Sequence, residues 1–292
     1  MKKDPIFNGR EAMQKTTKKY FPIFVLPTLL AFLVAFFIPF ILGIGLSFTK
    51  FTTVLNAKFV GLDNYIAIFT DKAFVNALWF TTKFTVVSVL TINIFAFMLA
   101  LILTRKIRGT NLFRTTFFMP NLIGGIVLGY IWQLIINGFL YPMGVTLTYK
   151  PEYGFMGLVI LMNWQLIGYM MVIYIAGIGN IPGELVEAAK IDGATSRQIL
   201  KNVTMPMVMP SITICLFLSI SNSFKLFDQN LALTAGAPSK KTTMLALDIY
   251  STFYARAGSE GIGQAKAVVF FVLVAVVAFV QLAITRRKEV EG

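Results

Sequence analysis

Residues 187–206 read EAAKIDGATSRQILKNVTMP, a polar segment inside a chain that is otherwise mostly apolar. Just before it, Pro182 suits the first turn of a helix, and residues 184–189 supply good helix formers with acids near the N-terminal end. Gly193 ends this helix, because glycine adopts left-handed backbone angles without steric cost. The first half of the segment is therefore predicted to be a short helix that stops at a bend.

The second half of the segment carries the signals of another short helix. Thr195 followed by Gln198 is a capping-box pattern, in which the two residues satisfy each other's backbone N–H groups. The helix is predicted over about residues 196–204. Pro206 ends or kinks it, because proline lacks the N–H that an inner helical turn needs. Two short helices at an angle make a rigid knob, which suits docking into a partner.

The composition of the whole chain is that of an integral membrane protein. Apolar residues make up 57% of the chain, charged residues only 13%, and the mean hydropathy is +0.74. The net charge of +13 comes from basic residues at the ends of apolar runs, a pattern of membrane orientation rather than of nucleic-acid binding. Cys215 is the only cysteine, so an intrachain disulfide and a multi-thiol metal site are excluded.

Six apolar runs predict six membrane-spanning helices, since about 20 residues at ~1.5 Å rise cross a hydrocarbon core of ~30 Å. The runs cover about residues 21–48, 84–104, 115–136, 154–178, 208–227 and 266–285. The first run is too long for the core of a signal peptide, so we expect it to be retained. We expect a cytosolic tail at 1–20, a first helix and outer segment at 21–75, a transmembrane core at 76–286 containing a cytosolic loop at 180–206, and a cytosolic tail at 287–292.

The distribution of basic residues predicts which side each loop faces. If the N-terminus is cytosolic, the inner segments hold 16 of the 26 Lys and Arg residues, and these segments are also shorter in total than the outer ones. This is the asymmetry that the positive-inside rule requires. Both termini and the loop at 180–206 are therefore predicted to be cytosolic.

The cytosolic loop resembles the signature of permease subunits of binding-protein-dependent ABC importers. The residues that carry the resemblance are Glu187-Ala188-Ala189, Gly193 and Val203-Thr204-Met205-Pro206. The family pattern is Glu-Ala-Ala, a glycine at the same offset, and Ile-x-Leu-Pro. Val203 and Met205 depart from it but keep apolar side chains of similar size.

Other motifs resemble the carbohydrate-uptake branch of this family, the maltose-type permeases. They are Gly61-Leu62-Asp63-Asn64-Tyr65, Asn163-Trp164, Phe227-Asp228 and Leu233-Thr234-Ala235-Gly236-Ala237-Pro238, with Ala237 where relatives usually show a second glycine. The resemblance covers roughly residue 58 to the C-terminus.

The resemblance implies an all-α protein with the type I ABC importer permease fold, in a bacterial cytoplasmic membrane. It implies a permease subunit that takes up a sugar or oligosaccharide delivered by an extracytoplasmic solute-binding protein. The implied partners are a second, non-identical permease and two cytosolic ATPase subunits, which hold ATP and Mg and leave this chain without cofactor, metal or catalytic residues. Coupling to the ATPase is implied for Glu187, Ala188, Ala189, Asp192, Gly193 and Pro206.

Polar residues inside the predicted spans are candidates for the transport path. Ser219, Asn222, Ser223 and Leu226 share one helix face through their i, i+3, i+4, i+7 spacing, and Gln165 and Tyr169 are i, i+4 partners. The resemblance places ligand contacts at Tyr169, Ser219, Asn222 and Ser223. Packing between helices is the rival interpretation, and in many permease pairs only one subunit touches the sugar. Lys225 and Asp228 are interpreted as rim or gate residues.

Two other classes of membrane protein fit the sequence less well. A membrane enzyme needs carboxylate, cysteine or histidine clusters at depth, whereas the chain has no histidine and no acid within the apolar part of a predicted span. An ion-coupled secondary transporter commonly shows repeats and buried ionisable residues. The sequence has no clear repeat and predicts no buried acid, so this alternative is disfavoured.

Overall fold

The computed structural model describes residues 20–105, 108–255 and 257–289. The predicted tail at 1–20 lies outside these residues except for Tyr20, and the predicted tail at 287–292 is described only through Glu289. The helices are α1 (Tyr20–Leu46), α2 (Asp63–Thr70), α3 (Lys72–Leu103), α4 (Thr110–Phe118), α5 (Gly125–Leu140), α6 (Pro151–Gly179), α7 (Gly183–Ile191), α8 (Ser196–Met207), α9 (Met209–Phe224), α10 (Asp228–Leu233), α11 (Leu245–Ala255) and α12 (Glu260–Arg286). Strands β1 (Thr49–Lys50) and β2 (Lys58–Phe59) form a small antiparallel pair.

The prediction of six spans is confirmed when one bent pair is counted as a single span. Within the described residues, five helical segments are long and apolar enough to cross a membrane, namely α1, α3, residues Gly125–Met143, α6 and α12. The sixth is the pair α8 and α9, which bends by 67° at its break. In the core, α3 packs against α6 and α9 through buried apolar side chains such as Ile92, Met170 and Cys215.

The largest errors in the predicted boundaries are in the second and third spans. The second begins at Lys72 rather than near Phe84, because Asp71 caps a helix start there by accepting a hydrogen bond from the Ala73 N–H at 2.9 Å. At ~1.5 Å per residue this helix is about 48 Å long, so one end extends beyond a hydrocarbon core of ~30 Å.

The predicted third span, Thr115 to Ile136, is not continuous. Helix α4 ends at Phe118, a 3₁₀ turn follows, and α5 starts only at Gly125. Pro120 lies in the turn, and Gly124 has a ψ of 138°, which no α-helix accommodates. The two glycines and the proline thus separate a short approach helix from the helix that spans.

An ion cluster occupies the end of the bundle where α3 and α12 begin. The Lys266 ammonium, whose side chain is 1% exposed, donates to Asp248 at 2.7 Å, to Asp71 at 3.0 Å and to the Thr252 hydroxyl at 2.9 Å. The sequence-based expectation of no buried acid is therefore wrong. The acid comes from α11, a connecting helix that folds back on α12, and not from a predicted span.

Close packing of the span α6 depends on a glycine. A Cβ added at Gly168 would overlap the backbone carbonyl of Phe117, at the end of α4. We expect Gly168→Ala to lower the free energy of unfolding by about 1–3 kcal/mol, because a backbone group cannot move aside as a flexible side chain can. Thermal unfolding in detergent measures this change. Gly179→Ala, at a position in α6 with open space around it, is the matched control and should leave the melting temperature unchanged.

Candidate functional site

The segment at 180–206 folds as the sequence predicts. Helix α7 starts at Gly183, directly after Pro182, and the chain turns at Gly193, whose φ is +78°. At the start of α8, the Gln198 side chain accepts a hydrogen bond from the Thr195 N–H at 2.7 Å, and both halves of the capping box are present. The bend therefore rests on local hydrogen bonds and on one left-handed glycine.

The outer face of α7 is exposed to solvent in the described part of the chain, so a partner protein could bind it. Ile191 is 85% exposed, and Leu185 is also exposed. Glu187, Ala188 and Asp192 lie on the surface. An exposed apolar side chain beside two acids is an arrangement that favours docking into a cleft. Ala189 and Pro206 are half-buried.

The segment is joined closely to two membrane spans. Pro206 and Pro210 flank the break between α8 and α9, where both lack the N–H that would continue the helix. At the other end of the segment, a Cβ added at Gly177 of α6 would overlap the hydroxyl of Ser211 in α9. Helices α6 and α9 are in contact at their ends next to the segment. A displacement of the segment would therefore move both spans.

A polar cavity of about 460 Å³ lies between the same two spans. Its volume falls in the range of small-molecule sites, ~300–1,000 Å³. The lining residues come from α6, α9, α10, the connection between α9 and α10, and the 3₁₀ turn after α4. They are Asn121, Met162, Gln165, Leu166, Tyr169, Leu218, Asn222, Lys225, Leu226 and Gln229. Four side-chain amides, a phenol and an ammonium can thus hydrogen-bond one ligand.

The four predicted ligand contacts divide into two pairs. Tyr169 and Asn222 line the cavity, whereas Ser219 and Ser223 do not. The Ser219 hydroxyl accepts a hydrogen bond from the Asn93 amide of α3 at 2.9 Å and donates to the Leu216 carbonyl at 3.1 Å. Ser223 is fully buried, and its hydroxyl has no hydrogen-bond partner among the described residues. Ser219 therefore faces α3, and Ser223 is buried outside the cavity lining.

The serine face belongs to a hydrogen-bonded link between three spans. Asn93 of α3 donates to Ser219 of α9 and accepts from the Tyr174 hydroxyl of α6 at 2.7 Å. Such links are the packing interactions that uncharged polar residues make in membrane bundles. The spacing of residues 219–226 alone could not separate this role from ligand contact.

Asn121 and Gln229 are cavity residues that the sequence-based reasoning missed. The Gln229 amide donates to the Gln165 carbonyl oxygen at 2.8 Å, so the side of the cavity is closed by a pair from α10 and α6. Gln229 belongs to a separate short helix, and helical spacing from α9 does not reach it. Its neighbour Asp228, predicted as a rim or gate residue together with Lys225, does not line the cavity.

Comparison with known proteins assigns the chain to a family. Residues 92–290 match the model of the binding-protein-dependent transport system inner membrane component. The probable starch degradation products transport system permease protein AmyD of Thermoanaerobacterium thermosulfurigenes is 45% identical over 92% of this chain and 94% of its own length. The trehalose/maltose transport system permease protein MalF of Thermococcus litoralis is 30% identical over 90% and 92%.

Solved structures give the same fold. A chain of a bacterial ABC transporter involved in the import of the acidic polysaccharide alginate superposes with a TM-score of 0.78 at 22% identity, covering 94% of this chain and 99% of that one. A chain of a bacterial alginate ABC transporter in complex with an alginate pentasaccharide-bound periplasmic protein gives a TM-score of 0.78 at 21% identity, covering 94% of this chain and 96% of that one. The chain therefore belongs to the binding-protein-dependent transport system inner membrane components, the multi-pass permease subunits that its loop signature predicts.

Proposed function

We propose that this chain is one permease subunit of an ATP-driven ABC importer, and that it conducts a sugar or oligosaccharide delivered by an extracytoplasmic solute-binding protein. The observation that carries the proposal is the position of the polar cavity, between the two spans that meet the exposed segment at 180–206. Two relatives are named for starch degradation products and for trehalose and maltose, which supports a carbohydrate ligand.

The lining of the cavity suits a saccharide. Amides of Gln165, Asn222 and Gln229 can each donate to and accept from hydroxyl groups. The Tyr169 ring offers an apolar face of the kind that covers the C–H side of a pyranose, beside its own hydroxyl. In this proposal Tyr169 and Asn222 contact the ligand. Ser219 holds α9 to α3 through Asn93, and Ser223 is buried away from the cavity.

In the proposed importer, two cytosolic ATPase subunits bind ATP and Mg and grip the segment at 180–206. Glu187, Ala188 and Asp192 lie on the docking face, and Ala189, Gly193 and Pro206 maintain its shape. ATP binds one conformation of the ATPase pair more tightly than the other, and so it shifts the equilibrium toward that conformation. The segment at 180–206 moves with the ATPase subunits and changes the packing of α6 and α9. This chain then needs no cofactor or catalytic residue of its own.

A second, homologous permease would complete the path. The most apolar window of α12 has no buried residue within the chain, and that of α1 is 6% buried. Such faces need cover from lipid or from another subunit. In a heterodimer of related permeases, the second subunit would cover part of these faces. The cavity of this chain would then lie near the path that the two subunits share.

The ion-coupled alternative is not supported by the buried acid. Asp248 is paired with Lys266 at 2.7 Å and does not line the cavity. A proton carrier would need an acid on the solute path that changes its partner during the cycle.

Substitutions in the cavity test ligand contact. We expect Tyr169→Ala and Asn222→Ala each to raise the half-saturating sugar concentration for uptake by about 2–10-fold, the effect of one or two lost hydrogen bonds. Uptake of labelled maltose and maltotriose by the complete importer measures this. Ser221→Ala, on α9 but outside the lining, is the matched control. Unchanged uptake in both cavity variants would place the ligand contacts in the partner permease.

A further inference from the structure

A second cavity, of about 350 Å³, lies where the segment at 180–206 packs against the end of α3. Three cationic side chains line it, and each comes from a different element. Arg105 follows the end of α3, Lys190 is in the last turn of α7, and Arg197 is in the first turn of α8. The fold therefore brings Arg105 to the same cavity as two cations that come much later in the chain.

None of the three cations of this cavity forms an ion pair within 4 Å in the described part of the chain. Neither Asp nor Glu lines the cavity, and in the described part of the chain the ion pairs within 4 Å are those of Lys266, at the opposite end of α3. Arg114 adds to the same field, since its guanidinium donates to the Leu103 carbonyl at the end of α3 at 3.4 Å. Like charges that converge without an acid repel one another, and a bound anion would relieve that repulsion.

Besides the three cations, the lining holds two hydroxyl residues, Ser196 and Thr204, and an apolar wall that begins in a membrane span. Leu101 lies in the last turn of the span α3, and Val186 and Leu200 face the same cavity from the segment. A free phosphate ion gains nothing from apolar walls, whereas a phospholipid needs both a cationic site for its phosphate and an apolar path for the start of its acyl chains.

We propose that this cavity binds the headgroup phosphate of an anionic phospholipid, through Arg105, Lys190 and Arg197. The bound headgroup bridges α3 to both helices of the segment. It would therefore brace α7 and α8 against the end of a span, in the region where the segment meets the membrane surface.

Native mass spectrometry of the complete importer tests the proposal directly. The complex is exchanged into detergent, titrated with phosphatidylglycerol, phosphatidylcholine or inorganic phosphate, and scored for the molecule that it retains. We expect preferential retention of phosphatidylglycerol, weakened roughly fivefold by Arg105→Gln and about 100-fold by the triple variant Arg105→Gln, Lys190→Gln, Arg197→Gln. Lys201→Gln, which removes an exposed cation of the same segment outside the lining, should leave retention unchanged.

Three results would overturn the proposal. The first is equal retention of phosphatidylglycerol by the wild type and the triple variant. The second is binding of inorganic phosphate at the site without retention of either lipid, which would make it a site for a free anion. The third is loss of the ATPase subunits from the triple variant with lipid retention intact, which would assign the cations to the protein partner. If the triple variant fails to assemble, Arg105→Gln decides, because this residue lies outside the segment at 180–206.

Discussion

Replacing Gly193 with proline is expected to abolish sugar-stimulated ATP hydrolysis by the complete importer, while the chain still inserts into the membrane. Gly193 has a φ of +78°, and its N–H donates to the Lys190 carbonyl at 3.0 Å. Proline fixes φ near about −65° and has no N–H, so the turn between α7 and α8 cannot form. A Cβ at this position meets open space, and the defect therefore lies in the backbone conformation rather than in a clash.

Two further variants separate this effect from a general loss of structure. In Gly193→Ala, the left-handed backbone conformation costs only about 1–2 kcal/mol, and the N–H is kept. We therefore expect this variant to retain part of the sugar-stimulated ATP hydrolysis. Gly183, in the same pair of helices, has open space around it and an ordinary backbone angle. An importer carrying Gly183→Ala should therefore hydrolyse ATP normally. Full sugar stimulation in Gly193→Pro would show that the shape of this turn is not needed for coupling.

Replacing Lys266 with methionine is expected to cause the largest loss of stability, about 3 kcal/mol or more. The change leaves Asp248, whose side chain is 10% exposed, buried without a counter-charge, and removing one partner of a buried pair commonly costs ~3–5 kcal/mol. Asp71 is more exposed at 35%, so solvent moderates its share. The melting temperature of the complex in detergent measures the effect.

The double variant Lys266→Met with Asp248→Asn should recover part of the loss, because it removes the uncompensated charge together with the lysine. Lys72→Met is the matched control, since Lys72 is exposed and has no ion pair within 4 Å in the described chain. A melting temperature for Lys266→Met equal to that of the control would mean that the cluster contributes no net stability.

The parts of the structure that could be predicted from sequence depend on local signals. The turn at Gly193 and the capping box of Thr195 and Gln198 involve residues within a few positions of one another, so their pattern alone specifies them. The number of spans follows from the length of apolar runs. The family signature lies within the same local segment. The partner subunits are predicted from this family resemblance, because the spacing of residues along a helix does not indicate them.

The features that could not be predicted depend on contacts between distant elements. Lys266 and Asp71 meet across 195 positions of sequence, and no periodicity in either helix reveals the pair. Gln229 reaches the cavity because α10 packs closely against α5. This close packing requires glycine on α5, since a Cβ at Gly125 or Gly129 would overlap Asp228 or Ala232. Burial of Ser219 depends in the same way on Asn93 of another span.

The central claim is that a nucleotide-hydrolysing partner inside the cell grips the segment between α6 and α9. Ile191→Cys tests it most directly, because Ile191 is 85% exposed and the native Cys215 is buried. In inside-out vesicles stripped of peripheral subunits, a membrane-impermeant thiol reagent should label this cysteine, and rebinding of the ATPase subunits should protect it. Labelling from the external face of intact cells, or no protection by the ATPase, would contradict the account.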